Sequence, residues 1–271
     1  MMLRWLDQGL RFLLTALAFF SFGVGGLLLS LVVIPLLVLL PGDRAVYGRR
    51  CRRLTQQAYR LFHAYMRHAR LVDYQPELVR LELPPGGCVL IANHPTLIDV
   101  TAILAKVGEA ACVVKHAHFH GPLHFLMRGN WHIDGGDGGP TGGAVVVLQA
   151  VERLRAGLPV LIFPEGTRSP EGGMNRFQRG AFEIARRANV PVVPLRVTCD
   201  PPILAKEAPW YRVPVPAARL RIEQLPTLWP DQAPDSTKTW AADCEAMYRQ
   251  RLPTAAPHPQ GDLALAANAA A

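Results

Sequence analysis

A histidine and an aspartate stand five residues apart in Asn93-His-Pro-Thr-Leu-Ile-Asp99. The apolar run Cys88–Ala92 before them predicts a β-strand, and Pro95 predicts that a helix begins directly after it. His94 then lies at the carboxyl end of a strand, where open α/β sheets bind ligands. A carboxylate on one ring nitrogen fixes the imidazole tautomer and leaves the other nitrogen as a base. Since no serine or cysteine is evident as a nucleophile, the pattern predicts that His94 takes a proton from a substrate hydroxyl.

Taken alone, this spacing is more typical of a capped helix with a buried histidine. A second segment, Phe163-Pro-Glu-Gly-Thr-Arg-Ser169, favours a functional site instead, because it also lies at the end of an apolar, strand-like run. Within it, Gly166 allows a close backbone approach, Thr167 offers a hydroxyl, and Arg168 offers a fork of donors for phosphate or carboxylate. The alternative is a plain strand-to-loop turn with a surface Arg–Glu pair. The segment indicates a site for an anion.

Together, the two segments resemble the first and third signature blocks of the lysophospholipid acyltransferase family, best known from the 1-acyl-glycerol-3-phosphate acyltransferases. Val190-Pro-Val-Val-Pro-Leu195 is similar to the fourth block, and Gly129-Asn-Trp-His-Ile-Asp134 occupies the place of the second. The four segments follow the family's order across residues 88–197, after an apolar N-terminal segment that also fits. This resemblance predicts an O-acyltransferase.

The resemblance implies that His94 is the general base and that Asp99 is its partner. It implies an acyl thioester donor, either acyl-CoA or acyl carrier protein, and a lysophospholipid acceptor such as 1-acyl-glycerol-3-phosphate, in phospholipid biosynthesis. It calls for no cofactor and no metal. The segment Glu165-Gly-Thr-Arg168 is implied to bind the acceptor, and residues Pro191–Pro194 are implied to lie near the donor.

Further candidates for substrate contact are less specific. Lys115 follows a buried strand and is expected to meet an anionic acceptor, while Arg179 follows the anion segment; the alternative for each is an ordinary solvated charge. The substrate-binding residues predicted in full are Asn93, Thr96, Lys115, Glu165, Gly166, Thr167, Arg168, Arg179 and Pro194.

One departure from the family concerns the second block. That block usually ends in Ile-Asp-Arg, with the arginine helping to hold the acceptor's phosphate, whereas here it reads Ile133-Asp134-Gly135. The following Gly136–Pro140 either cradles an anion with backbone amides or forms a flexible loop, and the loop is preferred. The change resembles a specialised bacterial subgroup. It keeps a non-phosphate acceptor open, such as an amino-acid lipid, a glycolipid or a polyene conjugate.

Three histidines are concentrated in Lys115-His-Ala-His-Phe-His120. In a strand, His116, His118 and His120 share one face, on which a metal ion could bind. No carboxylate stands nearby in the sequence to complete the set. We therefore expect a polar surface first, lining of the acceptor pocket second, and metal binding last. A histidine-metal hydrolase is the function that the last alternative predicts.

The N-terminal residues predict a membrane anchor over residues 1–42, because residues 12–42 carry no charge. The run exceeds both a signal-peptide core of about 7–15 residues and a single span of about 20. Gly23-Val-Gly-Gly26 near its middle favours a hairpin of two short helices over one tilted span. Arginines flank both ends, which predicts that both ends lie in the cytoplasm. The expected location is the cytoplasmic face of a bacterial inner membrane.

The charge pattern bears on partners and on the next segment. The net charge is +8, and arginines concentrate just after the apolar run, which favours membrane lipid over nucleic acid as the acidic partner. Residues 43–82 are expected to form a basic amphipathic helix and a linker. Over residues 47–70 the apolar stripe fits either a core-packing helix or one lying on the bilayer. A non-catalytic membrane-surface protein is the alternative from another class.

From residue 83 the sequence alternates between short apolar runs and helical patterns, which predicts an α/β domain over residues 83–252. We expect a mixed, largely parallel central sheet covered by flanking helices. The strands are expected at 88–92, 111–115, 160–163, 192–197 and 220–222, and the helices near 97–106, 144–156, 179–188 and 237–251. Residues 253–271 lack periodicity and are expected to form a disordered tail.

Overall fold

The computed structural model describes residues 2–74, 81–136, 142–206, 209–211 and 214–251. The predicted tail, residues 137–140 of the glycine loop and part of the predicted linker lie outside these ranges. Within them, seven strands form one sheet in the order β1-β7-β6-β2-β5-β3-β4. The strands are β1 (Val72–Tyr74), β2 (Val89–Ala92), β3 (Ala111–Val114), β4 (Ile133–Asp134), β5 (Val160–Ile162), β6 (Val192–Asp200) and β7 (Ala218–Gln224).

The sheet is mixed and largely parallel, which confirms the predicted fold class. Among the described strands, β6 and β7 pair antiparallel, and the other neighbours pair parallel. The five predicted strands are all present. The outer strands β1 and β4 were not predicted, since runs of three and two residues are too short to show a periodic pattern.

Helices cover both faces of the sheet. They are α1 (Met2–Leu28), α2 (Ile34–Leu36), α3 (Arg44–His68), α4 (Asp99–Val107), α5 (Ala117–His120), α6 (His124–Gly129), α7 (Gly142–Arg155), α8 (Gly180–Ala188) and α9 (Thr237–Arg251). The predicted helices are confirmed, with one shifted start. Helix α4 begins at Asp99 instead of Pro95, because the Asp99 carboxylate accepts the Thr96 backbone N–H at 2.7 Å and folds the preceding residues into a turn.

The core lies on the two sides of the sheet. Successive side chains of β2 point to opposite faces, so Leu90 packs with α3 and α4 while Ile91 packs with α7, α8 and α9. All four residues of β2 are buried. A strand covered on both faces reads as a continuous apolar run, which explains why Cys88–Ala92 shows no alternation.

The N-terminal helix passes through Gly23–Gly26 without a turn, so the expected hairpin is wrong. After α1, a π-helical turn at Leu29–Val33, then α2, and a 3₁₀ turn at Leu37–Leu39 continue the helical path. A helical glycine costs only about 1 kcal/mol, which long apolar neighbours on the same helix offset. Over Asp7–Leu39, this stretch of 33 residues is long and apolar enough to cross a membrane, by length and composition alone.

Helix α3 packs on the core. Asp43 caps its N-terminus by accepting the Val46 N–H at 2.8 Å, and residues on one face, including Cys51, Phe62 and Met66, are buried. This confirms the core-packing alternative for the amphipathic pattern. Leu61, on the same helix, is 73% exposed.

Candidate active site

The two chemistry-bearing segments meet at one edge of the sheet. Strands β2 and β5 are parallel neighbours with Ile91 beside Ile162, so the loops that follow them leave the sheet at the same edge. The backbone carbonyl of His94 accepts the Ser169 N–H at 2.8 Å, which joins the two loops directly. The segments that were predicted to act together therefore form a single site.

The structure brings His94 and Asp99 together as the sequence predicted. His94 Nδ1 lies 3.1 Å from Asp99 Oδ2; the Asp99 side chain is fully buried, whereas that of His94 is 16% exposed. The His94 ring packs on Phe163 with ring centroids 4.4 Å apart. Asp99 also accepts the backbone N–H and the hydroxyl of Thr96. One imidazole nitrogen is thus held by the carboxylate, and the histidine borders the cavity described below.

Burial raises the pKa of the Asp99 carboxyl, while hydrogen bonds and charge from His94, together with hydrogen bonds from Thr96, oppose the rise. These donors favour the ionised carboxylate as their acceptor. An ionised Asp99 keeps the proton on Nδ1 of His94 and leaves Nε2 with the lone pair that a general base needs. The electrostatics therefore suit proton removal from a bound hydroxyl.

Glu165 is turned into the protein and does not border the cavity. One carboxylate oxygen accepts the His94 N–H at 3.0 Å and the Ser169 hydroxyl at 2.6 Å. The other accepts the backbone N–H of Asn175 at 2.7 Å. Because its oxygens are occupied and its side chain is buried, Glu165 positions the site, in place of the predicted acceptor contact.

Three further predicted contacts lie in the interior. The Asn93 side chain donates to the Val197 carbonyl at 2.8 Å and accepts the Val197 N–H at 2.7 Å. Thr96 is buried, and its backbone N–H donates to the Asp99 carboxylate. Pro194 lies within β6, paired with Ile91. These residues fix the strand ends and their loops, and the structure gives them no path to a substrate.

Tyr248, which the sequence did not single out, supplies a hydrogen-bond donor next to Pro194. Proline has no N–H to donate to the neighbouring strand. The Tyr248 hydroxyl lies 3.1 Å from the Ile91 carbonyl and 3.0 Å from the Leu195 carbonyl, where it can donate instead. The side chain comes from α9, far along the chain. A tyrosine at helical spacing looks like any core residue, so no local pattern could have found it.

A cavity of about 1500 Å³ opens beside the pair. It is lined by His94, Phe163 and the segment Gly166–Arg168, and also by Phe22, Gly26 and other residues of α1. Most of the lining is apolar, as is typical of small-molecule sites. The cavity therefore combines a candidate base with room for a long apolar ligand.

Cations border the same cavity. Lys115, a predicted acceptor contact, lines it, and Lys206, which was not singled out in the sequence, lines it as well. Arg168 also lines it, with one guanidinium nitrogen donating to the carbonyls of Leu204 at 3.1 Å and Ala205 at 3.2 Å. These backbone contacts orient the guanidinium. A positively charged wall beside the candidate base favours an anionic group on the ligand.

The structure explains the glycine at position 166, but it does not bring Arg179 to the cavity. Gly166 adopts a φ of +72°, which side chains rarely allow, and an added Cβ would lie 2.9 Å from Gln178 Nε2. This explains the requirement for glycine at the turn. Arg179 is exposed at the start of α8 and does not border the cavity, so the structure does not bring it to the site.

The histidine cluster does not lie in a strand, because β3 ends at Val114 and residues 117–120 form a helical turn. His116 and His120 therefore share a face, and His118 lies apart from them. A carboxylate distant in sequence does complete the set: Asp134 Oδ2 lies 2.8 Å from His116 Nδ1. The sequence could not show this, because the pairing of β3 with β4 creates it.

The fold and site define an α/β protein with a His–Asp pair at the carboxyl end of a central strand and a large apolar cavity beside it. Residues 74–198 match the family model described as Acyltransferase. These residues include His94, Asp99 and the Phe163–Ser169 loop. This part of the chain is therefore similar to an acyltransferase domain, in agreement with the resemblance inferred from the sequence.

Named relatives agree with this assignment. The chain is 30% identical over 128 residues to the chloroplastic 1-acyl-sn-glycerol-3-phosphate acyltransferase BAT2 of Brassica napus, covering 45% of this chain and 37% of that protein. It is 30% identical over 111 residues to the human beta enzyme, covering 40% of each. It is 34% identical over 162 residues to the mouse alpha enzyme, covering 56% of this chain and 55% of that one. The chain thus matches about half or less of the length of these relatives.

A solved structure shows the same fold. The 1-acyl-sn-glycerophosphate (LPA) acyltransferase PlsC from Thermotoga maritima superimposes with a TM-score of 0.66 at 19% identity. The alignment covers 88% of this chain and 93% of that one. At this identity the likeness establishes the architecture, including the mixed sheet and its flanking helices.

Proposed function

We propose that this protein transfers a fatty acyl group from an acyl thioester to a hydroxyl of a lysophospholipid such as 1-acyl-glycerol-3-phosphate, in phospholipid biosynthesis. The observation that carries the proposal is the His94–Asp99 pair at the wall of an apolar cavity of about 1500 Å³. A base alone fits many reactions. A base beside space for an acyl chain fits acyl transfer, and the relatives bear the name of that reaction.

The geometry suggests the following steps. Nε2 of His94 removes the proton of the acceptor hydroxyl as its oxygen attacks the thioester carbonyl. Asp99, held by Thr96, stabilises the imidazolium that forms and keeps the ring in place. The tetrahedral intermediate collapses with loss of the thiolate, which takes up the proton from His94. The products are the ester and the free thiol of CoA or acyl carrier protein.

The acceptor's phosphate finds positive partners on the cavity wall. Arg168, Lys115 and Lys206 all border the cavity, and the guanidinium of Arg168 is oriented by two backbone carbonyls. A guanidinium fork matches phosphate oxygens, and an ammonium adds a point charge. This arrangement supports a phosphate-bearing acceptor.

The N-terminal helix supports action at a membrane surface. Its residues Phe22 and Gly26 line the cavity, so a lipid chain that fills the cavity contacts the same segment that is apolar enough to enter a membrane. We propose that this segment anchors the domain on the cytoplasmic face of the membrane. The net charge of +8 favours anionic lipid there and suits an acidic donor carrier.

The test is a direct assay of the purified full chain in detergent. It is supplied with palmitoyl-CoA or palmitoyl acyl carrier protein and with 1-acyl-glycerol-3-phosphate, and phosphatidic acid is measured by mass spectrometry. The proposal predicts phosphatidic acid formation with at least one donor. If no donor gives product with any lysophospholipid, the proposed function is wrong.

A non-phosphate lipid remains the second candidate acceptor, and one observation favours it. Gly135 and Gly136 line the cavity, at the place where the resemblance expects an arginine. The same assay run with neutral lysolipids separates the two acceptors. Activity confined to the neutral set would exclude the phosphate acceptor while retaining acyl transfer.

A further inference from the structure

His116, His120 and Asp134 form a cluster that the acyl-transfer chemistry does not use. His116 Nδ1 lies 2.8 Å from Asp134 Oδ2, and the rings of His116 and His120 have centroids 4.2 Å apart. One possible ligand atom from each residue lies within 4.8 Å of the other two. Two imidazoles and a carboxylate are a set that zinc and neighbouring transition metals bind.

The fold builds this cluster from two separate elements. The parallel pairing of β3 and β4 sets Val114 beside Asp134, so the carboxylate lies next to the residues that leave β3. The helical turn that follows places His116 and His120 four residues apart on one face. The ligands therefore converge because of strand register and helical spacing.

The carboxylate is already oriented. Asp134 Oδ1 accepts the Gly136 N–H at 3.0 Å, which leaves Oδ2 directed at His116. Outer hydrogen bonds of this kind hold the ligands of metal sites in place. The side chains of His116 and Asp134 are 44% and 26% exposed, and His120 is exposed, so a hydrated ion reaches them from solvent.

We propose that His116, His120 and Asp134 bind a divalent transition-metal ion, with Zn²⁺ as the reference case. Three protein ligands leave a fourth position for water or an anion. Zinc ligands at about 2.0–2.1 Å from the ion lie roughly 3.3 Å from each other, so the 2.8 Å contact of His116 with Asp134 opens slightly, while the three ligand atoms already lie within 4.8 Å of one another. Partly exposed side chains accommodate this by small rotations. Mg²⁺ and Ca²⁺ prefer oxygen ligands and are not expected to bind here.

The ion would lie at the wall of the cavity that His94 also lines, since His116 borders it next to Lys115. It would add positive charge to the part of the wall where Gly135 stands. The proposal depends only on the geometry of the cluster. The chain can therefore transfer acyl groups without binding a metal, or bind a metal without transferring acyl groups, and the two proposals are tested separately.

The experiment uses the full chain in detergent, produced without a polyhistidine tag and freed of metal with a chelator. Zn²⁺ binding is measured by calorimetry at pH 7.5, and Co²⁺ binding by its visible absorption. We expect one ion per chain for the wild type, at least tenfold weaker binding for His120→Ala and Asp134→Asn, and no binding of Mg²⁺. The matched control is His118→Ala, which changes an exposed histidine of the same turn outside the cluster and is expected to bind as the wild type does.

Thermal unfolding separates metal binding from folding. Without metal, His120→Ala is expected to unfold at the wild-type temperature, and Zn²⁺ is expected to raise the unfolding temperature of the wild type and of His118→Ala only. The proposal is overturned if the wild type binds no stoichiometric Zn²⁺. It is equally overturned if His120→Ala binds as tightly as the wild type, or if His118→Ala loses binding to the same degree.

Discussion

The carboxylate of Glu165 accepts the backbone N–H of His94 at 3.0 Å, across 71 positions of the chain. Its second oxygen accepts the Asn175 N–H at 2.7 Å. Glu165 therefore ties the loop after β2 to the loop after β5 and to the segment beyond it. The backbone that carries the proposed base is held by a residue of the other signature segment, so the two segments depend on each other for their geometry.

Glu165→Gln tests this positioning role. The amide places an NH₂ group where one oxygen now accepts N–H groups, and a buried donor without an acceptor costs about 1–3 kcal/mol. We expect a loss of stability of that size and a fall in kcat of at least tenfold, with KM for the acceptor nearly unchanged. Urea unfolding and steady-state kinetics measure both.

The control for this substitution is Glu171→Gln, because Glu171 is exposed. It should change neither stability nor kcat. If Glu165→Gln raised KM and left kcat intact, direct binding of the acceptor by Glu165 would replace the positioning role.

Arg168→Lys tests the anion site. Lysine keeps the charge but loses the fork of donors, and it cannot keep both carbonyl contacts while facing a phosphate. We expect KM for 1-acyl-glycerol-3-phosphate to rise about tenfold, with a smaller effect on a neutral acceptor. Arg176→Lys is the control, because Arg176 is exposed and does not line the cavity. An equal effect on phosphate and neutral acceptors would show that Arg168 does not recognise the phosphate.

Gly26→Trp tests whether the part of the cavity beside α1 holds the acyl chain. Gly26 lines the cavity, and an added Cβ meets only Leu123 Cδ2 at 3.8 Å, so an indole there projects into the open space. We expect kcat/KM to fall at least tenfold for a 16-carbon donor relative to an 8-carbon donor, since the longer chain needs more of the space that the indole fills. Gly9→Trp, on the exposed part of the same helix, should leave chain-length preference unchanged. An unchanged preference in Gly26→Trp would place the acyl chain elsewhere.

Because of two buried histidines, we expect the free energy of unfolding to fall at acidic pH. Burial lowers the pKa of His63 and of His132 from 6.5 to about 4, and the charge of Arg52 adds to the effect at His132. The unfolded chain binds these protons at higher pH than the native protein does. Stability is therefore complete above about pH 6.5 and falls as the pH drops towards 4, by up to about 1.4 kcal/mol per pH unit for each histidine.

His132→Asn isolates one of these contributions. His132 Nδ1 accepts the Cys112 N–H at 3.0 Å, and the asparagine oxygen preserves an acceptor there. The difference in unfolding free energy between pH 7.5 and pH 5 should shrink by about 2 kcal/mol in this variant. Urea titration followed by tryptophan fluorescence provides the values, and His68→Asn, an exposed site, should show the wild-type difference. A wild-type difference in His132→Asn would mean that His132 is already protonated in the folded protein.

The sequence predicted most of the domain because its elements have strong local patterns. The buried strand β2 reads as an unbroken apolar run, and Thr237–Arg251 shows a helical pattern that the structure reproduces. The pairing of His94 with Asp99 was also predictable, since both residues lie within one short segment. Local order of this kind depends on neighbours in the chain, so the sequence displays it.

Contacts between residues that lie far apart in the chain could not be predicted from the sequence. The contact of Glu165 with His94, the support of Tyr248 for β6 and the approach of Asp134 to His116 all arise from strand order and register. The same reason explains why Asn93, Glu165 and Pro194 were expected to touch substrate. A residue type within a motif shows that it matters, while its direction relative to the cavity depends on packing from distant elements.

The N-terminal helix was mispredicted for an energetic reason. The glycines Gly23–Gly26 indicated a turn by their low helix propensity. That cost is small, and further along the path Ser30 donates to the Pro122 carbonyl at 2.8 Å, which ties the segment to the domain. Tertiary contacts and apolar neighbours thus outweigh the local preference.

The central claim is that His94 is the base for acyl transfer, and the kinetics of His94→Ala test it most directly. The measurement is kcat for acyl transfer to 1-acyl-glycerol-3-phosphate by the purified full chain, beside His68→Ala as an exposed control and with unfolding temperatures for both. The account predicts a fall in kcat of roughly 10²–10⁴-fold in His94→Ala, the range that a general base contributes, with an unfolding temperature close to that of the wild type. A folded His94→Ala protein that retains kcat within about twofold of the wild type would contradict the account, because a general base is worth far more than that.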